Sequence, residues 1–280
     1  MRKNLGPWTW AVTLACAAVV GCQTVQTTQP GVVGVSREQR VSPLINRAEL
    51  NQQAGLQYRQ VLGEAQKKQT LNRDGEDVAR VRRIADRIIP QTAVFRPEAV
   101  NWKWEVNVIS SKELNAWCMP GGKIAFYTGL IDGLKATDDE LAQVMGHEIA
   151  HALREHAWER ASKSATAGLG LSIIGIALGA DQGQMDLAGL VYNVTFELPN
   201  SREHETEADR IGIELAARAG YDPRAAVTLW QKMAKANDGA PPKWLSTHPA
   251  HEDRQSDLKV YGDKVMPLYE QAKRSGRAVL

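Results

Sequence analysis

Apolar residues along this chain recur at two periods, and the change of period separates helices from a small sheet. Between Pro43 and Thr70, the residues Leu50, Ala54, Tyr58, Val61, Leu62 and Ala65 fall on one face at helical spacing. They predict a helix, which Gly55 and Gly63 weaken. Val78, Val81, Ile84, Ala85 and Ile88 repeat the pattern from Gly75 to Ile89, and Pro90 stops it. The interleaved Arg80, Arg82, Arg83 and Arg87 predict a solvated face. The period then drops to two. Trp102, Trp104, Val106 and Val108 share one side of a strand with a single buried face. Pro120-Gly121-Gly122 marks a turn, and Lys123 to Thr128 a second strand. A plain hairpin is one reading. The other makes Lys123, Ile124, Ala125, Phe126 and Tyr127 a sheet edge that accepts an extended peptide as an extra strand.

Helical spacing returns at Leu141, Val144, Met145, Ile149, Ala152 and Leu153 and predicts a helix to about Arg160. Thr137-Asp138-Asp139-Glu140 has the form of a capping box at its start. Mid-helix lies His147-Glu148-Ile149-Ala150-His151. Residues four apart on a helix share a face, so His147 and His151 would aim two imidazoles at one tetrahedral zinc. Glu148 is placed to take a proton from a water at that metal without ligating it.

A zinc hydrolase needs a third protein ligand. Ser201 to Gly212 predicts a helix with Ser201 as N-cap, running through Leu215 and ending at Gly220, with Asp222-Pro223 opening the next. Glu205 and Asp209 share a face. Glu205 suits the metal, and Asp209 suits the free N–H of a liganding histidine. Glu203, His204 and Glu207 are expected on the surface. Taken alone, the segment would read as an acidic solvated helix.

Charge and the termini extend the picture. The formal net charge of +2 is accounted for by Arg2 and Lys3, so no basic field remains to recruit nucleic acid. Those two residues precede an apolar run from Trp8 to Val20, the form of an export signal. Val19-Val20-Gly21-Cys22 resembles a lipobox, which implies cleavage before Cys22 and lipid on it; a plain signal with an incidental cysteine is the alternative. Two or more acyl chains hold a protein firmly on a bilayer. Gln23, rather than Asp, after that cysteine implies sorting to the outer membrane. Cys16 leaves with the signal. Cys118 then has no partner and reads as a small buried hydrophobe. The expected organisation is a signal peptide at 1–21, the lipidated cysteine and a flexible tether at 22–42, and one domain at 43–280. Thr166 to Ala180, apolar and glycine-rich, is too short to span a bilayer and reads as a buried helix. A surface touching the bilayer or unfolded chains is the alternative. The polar tail from His251 predicts a helix ending before Pro267.

Four blocks carry a resemblance: Asn115 to Ile131, the HEIAH pentapeptide, Ser201 to Gly212, and Ser246-Thr247-His248-Pro249. In this order they resemble the HtpX/BepA/LoiP-like gluzincins, zinc metallopeptidases related to the CAAX-prenyl endopeptidases. The resemblance implies an α+β, mainly helical, zincin-like fold with a small edge-strand sheet. It implies one Zn2+ per subunit on His147, His151 and Glu205, Glu148 as general base, and Asp209 behind a ligand. His248 and Arg254 match a histidine and an arginine near the metal. Either could donate to the oxyanion, or His248 could reach the metal as a latch. The implied function is a zinc endopeptidase of the cell envelope, degrading misfolded or misassembled proteins at the periplasmic face of the outer membrane. The outer-membrane assembly machinery is a candidate partner. The rival reading is a periplasmic chaperone or assembly factor with a latched, rarely active metal site.

Overall fold

The computed structural model describes residues 22–177, 187–236, 242–249 and 253–276; the expected signal at 1–21 lies outside them. Two helices form the centre. In α3 (Asp138–Leu153), the Thr137 hydroxyl accepts from the Glu140 amide, and the Glu140 carboxylate accepts from the Thr137 amide. Two amides at the start of the helix are thereby satisfied. In α6 (Arg202–Arg218), the Ser201 hydroxyl accepts from the His204 amide, and Gly220 ends the turn at φ +83°. The pair α3 and α6 shares the most extensive packing in the molecule. Gly146 and Gly212 allow it: a Cβ on Gly146 would sit 2.5 Å from the Gly212 carbonyl oxygen.

Around this pair pack α2 (Gly75–Ile88) against α3, and α7 (Ala225–Lys235) and α9 (Arg254–Arg274) against α3 and α6. α1 (Arg47–Lys67), α4 (His156–Ala177), α5 (Leu187–Tyr192) and α8 (Lys243–Thr247) complete the helices named here. The sheet is β3 (Glu105–Ile109), β4 (Ala116–Met119) and β5 (Lys123–Tyr127) in the order β3-β5-β4. Gly121 and Gly122, at φ +80° and +81°, make the β4–β5 turn. Ile124 and Phe126 enter one core with α2, α3 and α6, while Ala125 enters a second beneath α1 and α4. Both faces of β5 are therefore buried.

This topology corrects the expected edge. Lys123 to Tyr127 is the central strand, paired in parallel with β3 and antiparallel with β4. The free edge beside α3 belongs to β4.

The expected tether is also corrected. β1 (Gln23–Val25) and β2 (Gln39–Val41) pair antiparallel, and Val33 and Val35 enter the main core. The Gln29 amide donates to the Phe95 carbonyl at 2.7 Å, and Gly31 lies so close that a Cβ would strike the Phe95 ring. Valines spaced among Gln, Thr and Gly give this arm enough apolar surface to dock.

The helix expected to run to Arg160 breaks at Glu155, where φ is +53°, and α4 begins at His156. α9 runs through Pro267 rather than ending before it. Leu258 and Val265 on one side of the proline and Ala272 on the other are buried, so packing offsets the lost backbone bond. Of the stretch Thr166 to Ala180, α4 continues to Ala177; the side chains from 168 onward lie outside the described residues, and the expected burial with them. Among the described residues, no helix is long and apolar enough to cross a membrane.

Candidate metal centre

α3 and α6 bring the predicted ligands together. The Nε2 atoms of His147 and His151 lie 3.0 Å apart. Glu205 reaches across from α6, its Oε2 3.5 Å from His147 Nε2 and its Oε1 3.3 Å from His151 Nε2. His248, just beyond α8, is the fourth member, with all four donor atoms within 4.8 Å of one another. Its Nδ1 faces the Trp244 carbonyl at 3.0 Å, an acceptor, so that nitrogen bears the proton and Nε2 keeps its lone pair.

These residues fit a tetrahedral zinc. Glu205 is wholly buried, yet among the described residues neither carboxylate oxygen receives a hydrogen bond. Arg254 Nη1 approaches Oε2 at 2.8 Å only as an ion pair. Arg254 offsets the charge, but carboxylate and imidazole lone pairs still converge on one point without protons between them, an arrangement a metal cation would satisfy. With zinc–nitrogen bonds of about 2.0–2.1 Å, tetrahedral donors sit about 3.3 Å apart, close to the spacings found. Burial holds the imidazoles of His151 and His248 well below their ordinary pKa, so both stay neutral as ligands require.

Asp209, one turn beyond Glu205, accepts from His147 Nδ1 at 2.9 Å. Burial raises its carboxyl, but Arg254 and His147 outweigh that and hold it at about 2. Arg254 donates to Asp209 through Nη2 at 2.8 Å, and its guanidinium lies 3.8 Å over the Trp230 ring. Glu148 does not join the ligand cluster. Its Oε1 accepts from Trp244 Nε1 at 2.7 Å and lies 3.5 Å from His248 Nε2. Burial pushes its carboxyl up to about 7, against the pull of His147 and Trp244.

Beside these groups opens a cleft of about 340 Å³. Its walls include β4, Leu50, Glu148, His151, Phe196 and His248. Of the strand predicted to hold a substrate, Lys123 lines the cleft; Ile124, Ala125 and Phe126 are buried in the sheet. Cys118 sits half-buried on β4 against the main core, its thiol raised by burial. Cys22 is exposed.

Another expectation is overturned on α6. Glu203 is exposed, but His204 and Glu207 are buried, because the N-terminal arm covers that face. Arg37 of the arm forks onto both Glu159 and Glu207. Sequence reading missed this network, and it missed His156, whose Nδ1 lies 2.8 Å from His151 Nδ1. The available signals were a third histidine five residues beyond His151 and acids flanking Glu205. Trp244 was also missed, although it lies only two residues ahead of the Ser246 block.

The chain is similar to known metalloendopeptidases. The mitochondrial metalloendopeptidase OMA1 of Arabidopsis thaliana is 40% identical over 155 residues, which cover 55% of this chain and 31% of that protein. OMA1 of Saccharomyces cerevisiae is 32% identical over 178 residues, 61% of this chain and 50% of that protein. The beta-barrel assembly-enhancing protease of Escherichia coli is 30% identical over 189 residues, 64% of this chain and 38% of that protein. The chain thus spans 31% to 50% of the length of these relatives, and the likeness extends from bacterial to mitochondrial proteins. The profile of peptidase family M48 matches residues 76–261, which hold every member of the donor cluster. The chain belongs to peptidase family M48.

Proposed function

We propose that this chain is a zinc-dependent endopeptidase in which His147, His151 and Glu205 hold one zinc ion and Glu148 is the general base. The observation that carries the proposal is the buried Glu205 carboxylate, without a hydrogen bond among the described residues, facing two imidazole Nε2 atoms. Zinc, when bound, supplies Lewis acidity that polarises a scissile carbonyl and acidifies water. Glu148 takes the proton of the attacking water and returns it to the leaving amine. A carboxyl poised near 7 suits both transfers. Trp244 fixes the orientation of that carboxylate through its indole N–H. Asp209 holds the proton of His147 on Nδ1, so that Nε2 faces the donors. Arg254 offsets the charge of Glu205 and Asp209. The free edge of β4 receives an extended peptide, whose side chains enter the cleft in alternation.

A lipid on Cys22 would place the enzyme at a membrane, and the docked arm would hold it close to that surface rather than on a long leash. The preceding charged and apolar segment supports export. The likeness to the beta-barrel assembly-enhancing protease of Escherichia coli supports a role beside beta-barrel assembly. We assign this chain to quality control of misfolded envelope proteins on that basis. One observation favours a second reading, an assembly factor that seldom cuts: His248 stands among the donors and can complete a closed, four-ligand site.

The test is zinc content and cleavage of casein by the purified full chain, its Glu148→Gln variant and its His248→Ala variant. The protease reading expects one zinc per chain in wild type and Glu148→Gln, and cleavage by wild type or His248→Ala only. Cleavage by Glu148→Gln at the wild-type rate would remove Glu148 from its role. If all three hold zinc and none cuts, while wild type suppresses aggregation of an unfolded outer-membrane protein, the assembly-factor reading replaces it.

A further inference from the structure

We infer that His156 is a positioning residue for the metal centre, tying the ligand His151 through Glu207 to Arg37 of the N-terminal arm. The inference rests on the zinc reading above. For His151 to present the Nε2 lone pair to a metal, its proton must sit on Nδ1. Among the described residues, the partner of that nitrogen is His156 Nδ1 at 2.8 Å, which must then accept. His156 consequently carries its own proton on Nε2, and that nitrogen lies 3.0 Å from Glu207 Oε2, an acceptor. One assignment of protons satisfies every member of the chain.

Glu207 is fixed in turn. It accepts from Arg154 Nε at 3.0 Å and from Arg37 Nε at 2.6 Å. The plane of the His156 ring is set by stacking on His204, with centroids 4.2 Å apart and planes 17° from parallel. His204 Nε2 meets Glu159 Oε2 at 3.1 Å, and Glu159 takes the Arg37 fork at 2.8 Å on each oxygen. Both sides of the relay thus converge on one arginine from the arm. The two ligand histidines are held differently: His147 leans on a carboxylate directly, whereas His151 reaches one only through a second imidazole. Loss of such outer partners costs roughly 10–100-fold in metal affinity in other sites.

The experiment is zinc affinity by competition with a chelator, together with melting of the zinc-free form, on the full chain. His156→Phe keeps an aromatic ring to stack on His204 but loses both hydrogen bonds; Glu207 stays paired with Arg154 and Arg37. His156→Gln can accept from His151 through Oε1 and donate to Glu207 through Nε2. The relay expects His156→Phe to bind zinc about 10–100-fold more weakly, His156→Gln to lie closer to wild type, and the two zinc-free variants to melt alike. Zinc affinity in His156→Phe within about twofold of wild type, far inside the range expected for lost outer partners, would overturn it. Equal losses in the Phe and Gln variants would reduce His156 to a space-filling role. Should His156→Phe not fold, Arg37→Ala decides: unchanged zinc affinity overturns the relay, and weakened affinity with an unchanged zinc-free melt supports it. Failure of the zinc reading itself would show elsewhere, as wild-type chain without zinc or His151→Ala with undiminished affinity.

Discussion

Adding one methyl group at Gly212 should disrupt both the fold and the metal centre. A Cβ there would lie 2.6 Å from the His147 amide nitrogen and 2.8 Å from both Gly146 C and His147 Cα. Carbon atoms in good contact sit about 3.5–4.0 Å apart, so the shortfall is about 1 Å. All three obstacles are backbone atoms, and no rotamer change relieves them. The helices α3 and α6 must part. α3 carries His147 and His151, and α6 carries Glu205, so parting widens the 3.5 Å gap between His147 and Glu205. Metal–ligand distances tolerate about 0.2 Å. Overpacking costs roughly 1–3 kcal/mol, and a rigid backbone contact belongs at the upper end. Ala returns about 1 kcal/mol of helix propensity over Gly. The net loss is therefore about 2 kcal/mol, which lowers Tm by roughly 4–8 °C in a chain of this size. Gly63 in α1 is the control, because a Cβ there meets nothing within 4 Å. Gly63→Ala should stabilise by up to about 1 kcal/mol. Calorimetry on the zinc-free chains and chelator competition measure the two effects. Gly212→Ala melting at or above wild type with unchanged zinc affinity would refute the reasoning.

Three further outcomes follow from the same geometry. Arg254→Met leaves Glu205 and Asp209 without their buried cation and should cost about 3–5 kcal/mol in the zinc-free form; a loss below about 1 kcal/mol in urea unfolding would contradict that. Trp244→Phe removes the indole donor to Glu148 and should lower kcat by about 10-fold, part of the usual general-base contribution, with zinc affinity unchanged; an unaltered kcat would take Trp244 out of the mechanism. Stability should fall in acid through Glu159, whose carboxyl burial raises but whose partners Arg37, His204 and the Arg40 amide pull lower still. A carboxyl depressed in the folded state stabilises above its ordinary value of 4.5 and loses that contribution as pH falls below it. The urea midpoint should therefore drop below about pH 4.5, and drop less steeply in Glu159→Gln.

Local signals were legible where chemistry is local. The capping box at Thr137, the cap at Ser201 and the stop at Gly220 each depend on a few adjacent residues, and each stands where the sequence put it. Strand order was not legible, because the choice of β3 as second neighbour to β5 is made by packing against α2. The apolar run Ile124-Ala125-Phe126 did carry a hint, since a strand buried on both faces shows no alternation. The break after Leu153 was hidden because Ala-Leu-Arg-Glu-His-Ala keeps helical spacing. It is imposed by Arg154, a wholly buried cation held by Glu207, Thr28 and the Arg37 carbonyl. The arm was hidden by its own polar composition, in which two docking valines carry little weight.

The break after Leu153 and the docked arm share one cause, which lies in α6. Its sequence looked like a solvated acidic helix because Glu205, Glu207 and Asp209 are spaced over little more than one turn. A helix so acidic can be buried only if every carboxylate finds a cation or a proton donor. Asp209 finds His147 and Arg254, and Glu207 finds His156, Arg154 and Arg37. Among the described residues, Glu205 finds only the ion pair with Arg254 and two histidines that offer lone pairs instead of protons. Glu214 finds Arg218 and the Val33 amide of the arm, so three of these four acids are satisfied by the protein, two of them partly through the arm, and Glu205 is left suited to a metal. The arm and the metal centre are therefore parts of one electrostatic solution to burying α6, and a change at Arg37 should be felt at His151.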